Sequence, residues 1–142
     1  MNQTIKRRVI QFFTLVTVAG LMLSAACEQQ PSKEELKKEV MDIHDYAMAK
    51  MGTLHDLEMK INAAVDSTNE KQMKLAASAI NALVKADEDM MDWMRQYKEP
   101  DDVMKYEEMV KYFAVQKEMI QKVKEDTDKS IADANKLLES MK

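Results

Sequence analysis

The 142-residue chain has one cysteine and two prolines, and only two glycines. A lone cysteine cannot close an internal disulfide, so oxidation cannot staple this fold. Glycine and proline are the usual punctuation of hairpins and strands. Beyond the first 26 residues only Gly52, Pro31 and Pro100 remain, and an all-helical chain follows. Aromatic residues make up just 6% of the chain, with a single tryptophan. No glycine-rich phosphate loop occurs, and no serine lies near a histidine and an acid in a nucleophilic arrangement. The acidic runs at Asp87-Glu88-Asp89 and Glu99-Pro100-Asp101-Asp102 lack the alternating oxygen ligands and the glycine of a calcium loop. Catalysis is therefore not expected.

The start of the chain carries its strongest local signal. Lys6, Arg7 and Arg8 form a basic opening, a mostly apolar run of fifteen residues extends from Val9 to Leu23, and Ser24-Ala25-Ala26 supplies small residues. This is the layout of an export signal over residues 1–26. A bilayer-spanning helix needs about 20 apolar residues, so a permanent transmembrane helix is the weaker reading. Cys27 follows the small residues directly, in the order LSAAC. That stretch resembles the bacterial lipobox, whose cysteine is lipidated and becomes the new N-terminus. Ser24 stands where that pattern prefers leucine, with Leu23 one place further back. The rival is ordinary cleavage after Ala26, releasing a soluble protein with a free thiol. A free thiol is an oxidation liability in an oxidising compartment, which favours the lipid anchor on Cys27.

Cleavage before Cys27 leaves 116 residues, enough for one domain with a real core. The signal holds three of the 21 basic residues and none of the 25 acidic ones, so the remainder has a net charge of −7. Such a surface argues against nucleic acid and against broad adhesion to anionic lipid beyond the anchor. Residues 27–31 then form the lipidated cysteine with a short linker, and residues 32–142 the bundle domain.

Helix starts are written in the caps. Ser32-Lys33-Glu34-Glu35 and Ser67-Thr68-Asn69-Glu70 both match the capping box, and Pro100-Asp101-Asp102 suits a helix's first turn. These signals predict helices over about 32–65, 68–98 and 101–140. Apolar residues recur in each at steps of three and four, which predicts an up-down-up antiparallel three-helix bundle of coiled-coil character. Gly52, with Thr53 as a cap, leaves room for a kink or break, but the unbroken phase from Met51 to His55 favours a continuous or bent first helix. Folding the regular helices about 66–67 and 99–100 places Lys50, Asp87 and Gln116 within about a turn of one another. They are expected to form a polar layer that fixes register.

Met41, His44, Met48, Met51 and His55 form one stripe on the first helix. Thioether and imidazole ligands suit copper, and imidazole also suits zinc, so His44, Met48, Met51 and His55 are candidate metal ligands. The two histidines are about 16 Å apart along a helix and cannot share one ion. Ordinary packing explains the stripe more simply, because methionine fills irregular gaps and a bundle helix faces two partners. Met90, Trp93, Met94 and Tyr97 are likewise either a partner-binding patch or packing at the bundle end, and packing is favoured.

The runs Met41-Asp42-Ile43-His44-Asp45, Met48-Ala49-Lys50-Met51-Gly52 and Ala86-Asp87-Glu88-Asp89-Met90-Met91-Asp92-Trp93-Met94, with Asn135-Lys136-Leu137-Leu138 near the end, resemble small bacterial envelope lipoproteins labelled viral A-type inclusion protein. The resemblance covers most of the chain after the signal. It implies a helical, lipid-anchored protein and brings no reaction with it. The expectation is a non-catalytic structural or protein-interaction module in the cell envelope, facing the periplasm or the cell surface. The membrane is reached through the anchor, the protein partner is unknown, and self-association is open. No cofactor is expected, and the alternative is a periplasmic copper- or zinc-binding protein.

Overall fold

The computed structural model describes residues 30–142, so the export signal and Cys27 lie outside the described residues. Residues Pro31–Lys142 form one compact all-helical unit with four helices: α1 (Lys33–Met48), α2 (Met51–Ala64), α3 (Glu70–Gln96) and α4 (Tyr106–Ser140). Among the described residues there is no strand, and no helix is long and apolar enough to cross a membrane. Helices α1 and α2 follow one another as a single rod, so the described residues form a bundle of three rods. Tyr106 Oη donates to the Pro31 carbonyl at 3.0 Å, Lys117 pairs with Glu39 at 2.9 Å, and Tyr46 Oη donates to Asp128 at 3.1 Å. Sequence number rises on both sides of these contacts, so the first rod runs parallel to α4. The stacking of His44 on Trp93, with Met51 and Asp87 sharing a groove, sets α3 antiparallel to both.

Helix α1 begins as its sequence predicts. The Ser32 hydroxyl accepts from the Glu35 amide at 3.1 Å and the Glu35 carboxylate accepts from the Ser32 amide at 2.7 Å, a complete capping box. The expected continuous first helix is interrupted at Ala49 and Lys50, just before Gly52. There the Lys50 amide bonds back only three residues, to the Ala47 carbonyl at 2.9 Å, which tightens the turn and ends the regular ladder. Thr53 caps nothing: the cap position of α2 is Lys50, without a side-chain bond. Both Ala49 and Lys50 keep right-handed helical angles, so the apolar seam passes through the break in phase. Val40, Ala47, Leu54 and Ile61, seven apart, are all buried.

Two other boundaries differ from expectation. Asn69, not Ser67, caps α3, accepting from the Gln72 amide at 3.1 Å. Asp66 takes the Thr68 amide and hydroxyl at 2.9 and 2.8 Å, an Asx turn that holds residues 66–68 out of the helix and keeps the Asp66 carboxyl below its ordinary range. Helix α4 starts at Tyr106 and not at Asp101, because Asp101 is spent on a turn: its carbonyl accepts the Met104 amide at 3.0 Å. The nine-residue connection from Tyr97 to Lys105 is clamped onto the start of α1, where Lys33 Nζ donates to the Pro100 carbonyl at 2.9 Å and to Asp102 at 2.6 Å.

The core has two parts. One gathers Val40, Ala47, Met90, Trp93, Met109, Phe113, Ile120 and Val123; the other gathers Leu54, Leu57, Ile61, Ala76, Leu83, Ala86 and Ala134. Along α4 the two are separated by buried Thr127 and Ser130, so that helix changes partners through a polar step.

Candidate functional site

The predicted polar layer is drawn apart. Gln116 adjoins Lys117, which pairs with Glu39, so it lies level with residues near 38. Lys50 lies twelve residues further along the rod, about 18 Å away by helical rise. The longer α3–α4 connection slides α4 past the register expected from a short turn. Asp87 is half-buried and lines a groove with Met51. Gln116 instead joins the first core, 8% exposed.

At the level of the helix break stands a different polar cluster, built on Tyr46. Lys124 Nζ lies 4.5 Å from the Tyr46 ring centroid and Lys50 Nζ lies 5.3 Å from it. Asp128 accepts from Tyr46 and, at 2.8 Å, from Lys124. Burial pushes the Asp128 carboxyl up, but the hydrogen bonds from Lys124 and Tyr46 and the nearby cations outweigh it and hold the group below its ordinary range. The same contact raises the Lys124 ammonium. Sequence reading missed Tyr46, Lys124 and Asp128. The i,i+4 spacing of Lys124 with Asp128 was legible, but the arrival of Tyr46 from another helix was not.

The histidine and methionine stripe is divided by the break. His44, half-buried on α1, stacks on Trp93 with ring centroids 5.4 Å apart and holds Asp45 through Nδ1 at 2.9 Å. Met41, Met48 and Met51 pack against the first core. On α2 the His55 side chain is 71% exposed and faces Glu58 at 3.8 Å. It lines a groove of about 360 Å³ with Met51, Leu54, Glu58, Leu83 and Asp87. Among the described residues no three histidine, cysteine or acidic side chains are placed to hold one metal ion.

Met90 and Trp93 are buried and Met94 and Tyr97 partly so, all four packed in the first core. Rings follow one another from His44 to Trp93, Tyr97 (5.0 Å), Tyr112 (6.2 Å) and Phe113 (5.5 Å). The residues weighed between a partner-binding patch and packing therefore tie α1, α3 and α4 together. Burial, with Glu99 and Tyr112 adding to it, pushes the Tyr97 hydroxyl up to about 12.

No family model, curated protein or solved structure matches the chain.

Proposed function

We propose that the chain is a lipid-anchored protein of the bacterial cell envelope, held through Cys27, whose helical bundle is a non-catalytic structural or protein-interaction module. The observation that carries this reading is the position of Cys27, behind a basic, apolar and small-residue leader and five residues ahead of the capped start of the bundle at Ser32. The side chains richest in chemistry support it. Trp93, His44 and most of the stripe methionines are spent on packing, while the outer faces carry i,i+4 pairs such as Lys85–Asp89, Lys122–Asp126 and Lys129–Asp133. Such pairs suit a solvated rod. The resemblance to envelope lipoproteins points the same way. The test is metabolic labelling with a radioactive fatty acid in an exporting bacterium, for the native chain and for Cys27→Ser. Label on the native chain alone is expected, and an unlabelled native chain refutes the anchor.

A copper or zinc site is the second reading. Only Met51 and His55 of the stripe line one groove, between α2 and α3, without three histidine, cysteine or acidic side chains placed there to hold one ion, and His44 and Met48 belong to the packed core. Calorimetric titration with Cu(I), Cu(II) and Zn(II), beside His44→Ala and His55→Ala, separates the cases. Binding lost with His55 alone supports the groove, and heats unchanged by either substitution exclude both histidines as ligands.

A further inference from the structure

All three rods are interrupted at one level. In the first rod the regular ladder stops at Ala49 and Lys50, where the Lys50 amide turns back to the Ala47 carbonyl and the Thr53 amide to the Lys50 carbonyl, each at 2.9 Å. On α3 the half-buried Asp87 shares a groove with Met51 and Leu54, which follow that break. On α4 the buried polar pair is Thr127 and Ser130. Ser130 lines a groove with Ala86 of α3, and Tyr46, one turn before Lys50, reaches Asp128 beside Thr127. Ser130 Oγ donates to the Thr127 carbonyl at 2.9 Å, a bond inside α4 that ties no rod to another. The two cores part at this level, and Met51 packs on both.

The two sides of that level are held differently. On the first side the core is filled by Met90, Trp93, Phe113 and Ile120. Polar ties also cross between elements there: Lys33 to Asp102, Lys37 to Glu99, Lys117 to Glu39, and the Tyr106 hydroxyl to the Pro31 carbonyl. On the second side Ala76, Ala86 and Ala134 stand beside Leu54, Leu57, Ile61 and Leu83, with no aromatic ring. The ion pairs on that side, among the described residues, join residues of one helix, as Lys74 joins Glu70 and Lys129 joins Asp133. Stabilisation follows buried apolar area, so a core of smaller side chains without polar ties between rods holds its helices more weakly. We propose that Ala49 and Lys50, Asp87, and Thr127 with Ser130 form a joint. About it the second half of the bundle, α2 with residues 70–86 of α3 and 131–140 of α4, opens while the first half stays packed. Opening uncovers the apolar faces of Leu54, Leu57, Ile61 and Leu83. The joint belongs to the bundle itself and stands whether or not Cys27 carries lipid.

Native-state hydrogen exchange of the full chain, read peptide by peptide by mass spectrometry under conditions where exchange reports the opening equilibrium, tests the joint. Protection of residues 54–61, with 76–83 and 134–138, should be lower by about tenfold or more than that of 40–47, 90–96 and 113–123. Val40 is fully buried in the first core, and Val40→Ala leaves a void there. The variant should speed exchange of 40–47 by about tenfold and leave 54–61 within about twofold of the native chain. Equal protection of the two halves overturns the proposal. So does Val40→Ala speeding both halves alike, because the bundle then opens as one cooperative unit. Should Val40→Ala not fold, Ile120→Val, a smaller deletion in the same core, is decided by the same two outcomes. Thr127→Val with Ser130→Ala carries the apolar seam of α4 across the joint and should bring the two protections together. An unchanged gap in that variant means the division lies elsewhere and overturns the joint.

Discussion

Thr127 offers a test of how this bundle treats polarity at its centre. It is 0% exposed, and its hydroxyl has no partner among the described residues. A threonine in a helix usually bonds the carbonyl three or four residues earlier, and Thr127 does not. Its own carbonyl is engaged separately, accepting from Ser130 Oγ at 2.9 Å, and a side-chain change leaves that bond in place. An unpaired buried hydroxyl costs about 1–3 kcal/mol in lost hydration. Thr127→Val keeps the branched shape and puts a methyl where the hydroxyl was, and the two residues have similar helix propensities. The variant should therefore be about 1 kcal/mol more stable. For a domain of this size that raises the melting temperature by roughly 3–6 °C. Urea unfolding followed by circular dichroism should show a higher midpoint at unchanged slope, the signature of a change in stability alone. Thr127→Ala is the control: it also removes the unpaired hydroxyl but leaves a void, so it should fall below the valine variant by about 1 kcal/mol. A valine variant less stable than the native chain refutes the reasoning, since the hydroxyl would then have to be paired.

Gly52 occupies the second position of α2, and a Cβ built there meets nothing within 4 Å. Gly52→Ala should stabilise the chain by about 0.5–1 kcal/mol, mainly by restricting the unfolded state; a loss in the same urea assay would show that the break needs glycine. For Tyr97 the sign follows from its raised value. Below about pH 10 the phenol is protonated in both states and its contribution is complete, and as pH rises towards 12 the unfolded chain ionises first and that contribution is lost. The ceiling is about 1.4 kcal/mol per pH unit, and the partly exposed ring feels less than that. Tyr97→Phe should lose less stability than the native chain between about pH 10 and 11.5, and parallel profiles would remove Tyr97 from the account.

The helical class, the capped start at Ser32 and the heptad seam were all set by local sequence. A hydroxyl and a carboxylate three residues apart close the capping box whatever packs above them, and apolar steps of three and four leave no other regular structure able to bury that face. Where the helices end was less legible. Ser67 and Asn69 both suit a cap, and only the competing turn at Asp66 chose between them. Pro100-Asp101-Asp102 reads as a helix start, yet Lys33, 67 residues away in sequence, reaches Pro100 and Asp102 and holds that stretch as a connection.

Register depended on tertiary structure entirely, because each residue added to a connection slides the next helix by about 1.5 Å against its neighbours. That slide took Gln116 out of the expected layer with Lys50 and Asp87 to a buried position between Phe113 and Ile120, and it brought Asp128 and Lys124 beside Tyr46. The sequence by itself determined which faces are apolar and that they wind as helices, since those depend on neighbours three and four residues apart. Only the packed structure decided which polar groups meet, because such meetings are set by connection length and by long-range contacts that no local spacing encodes.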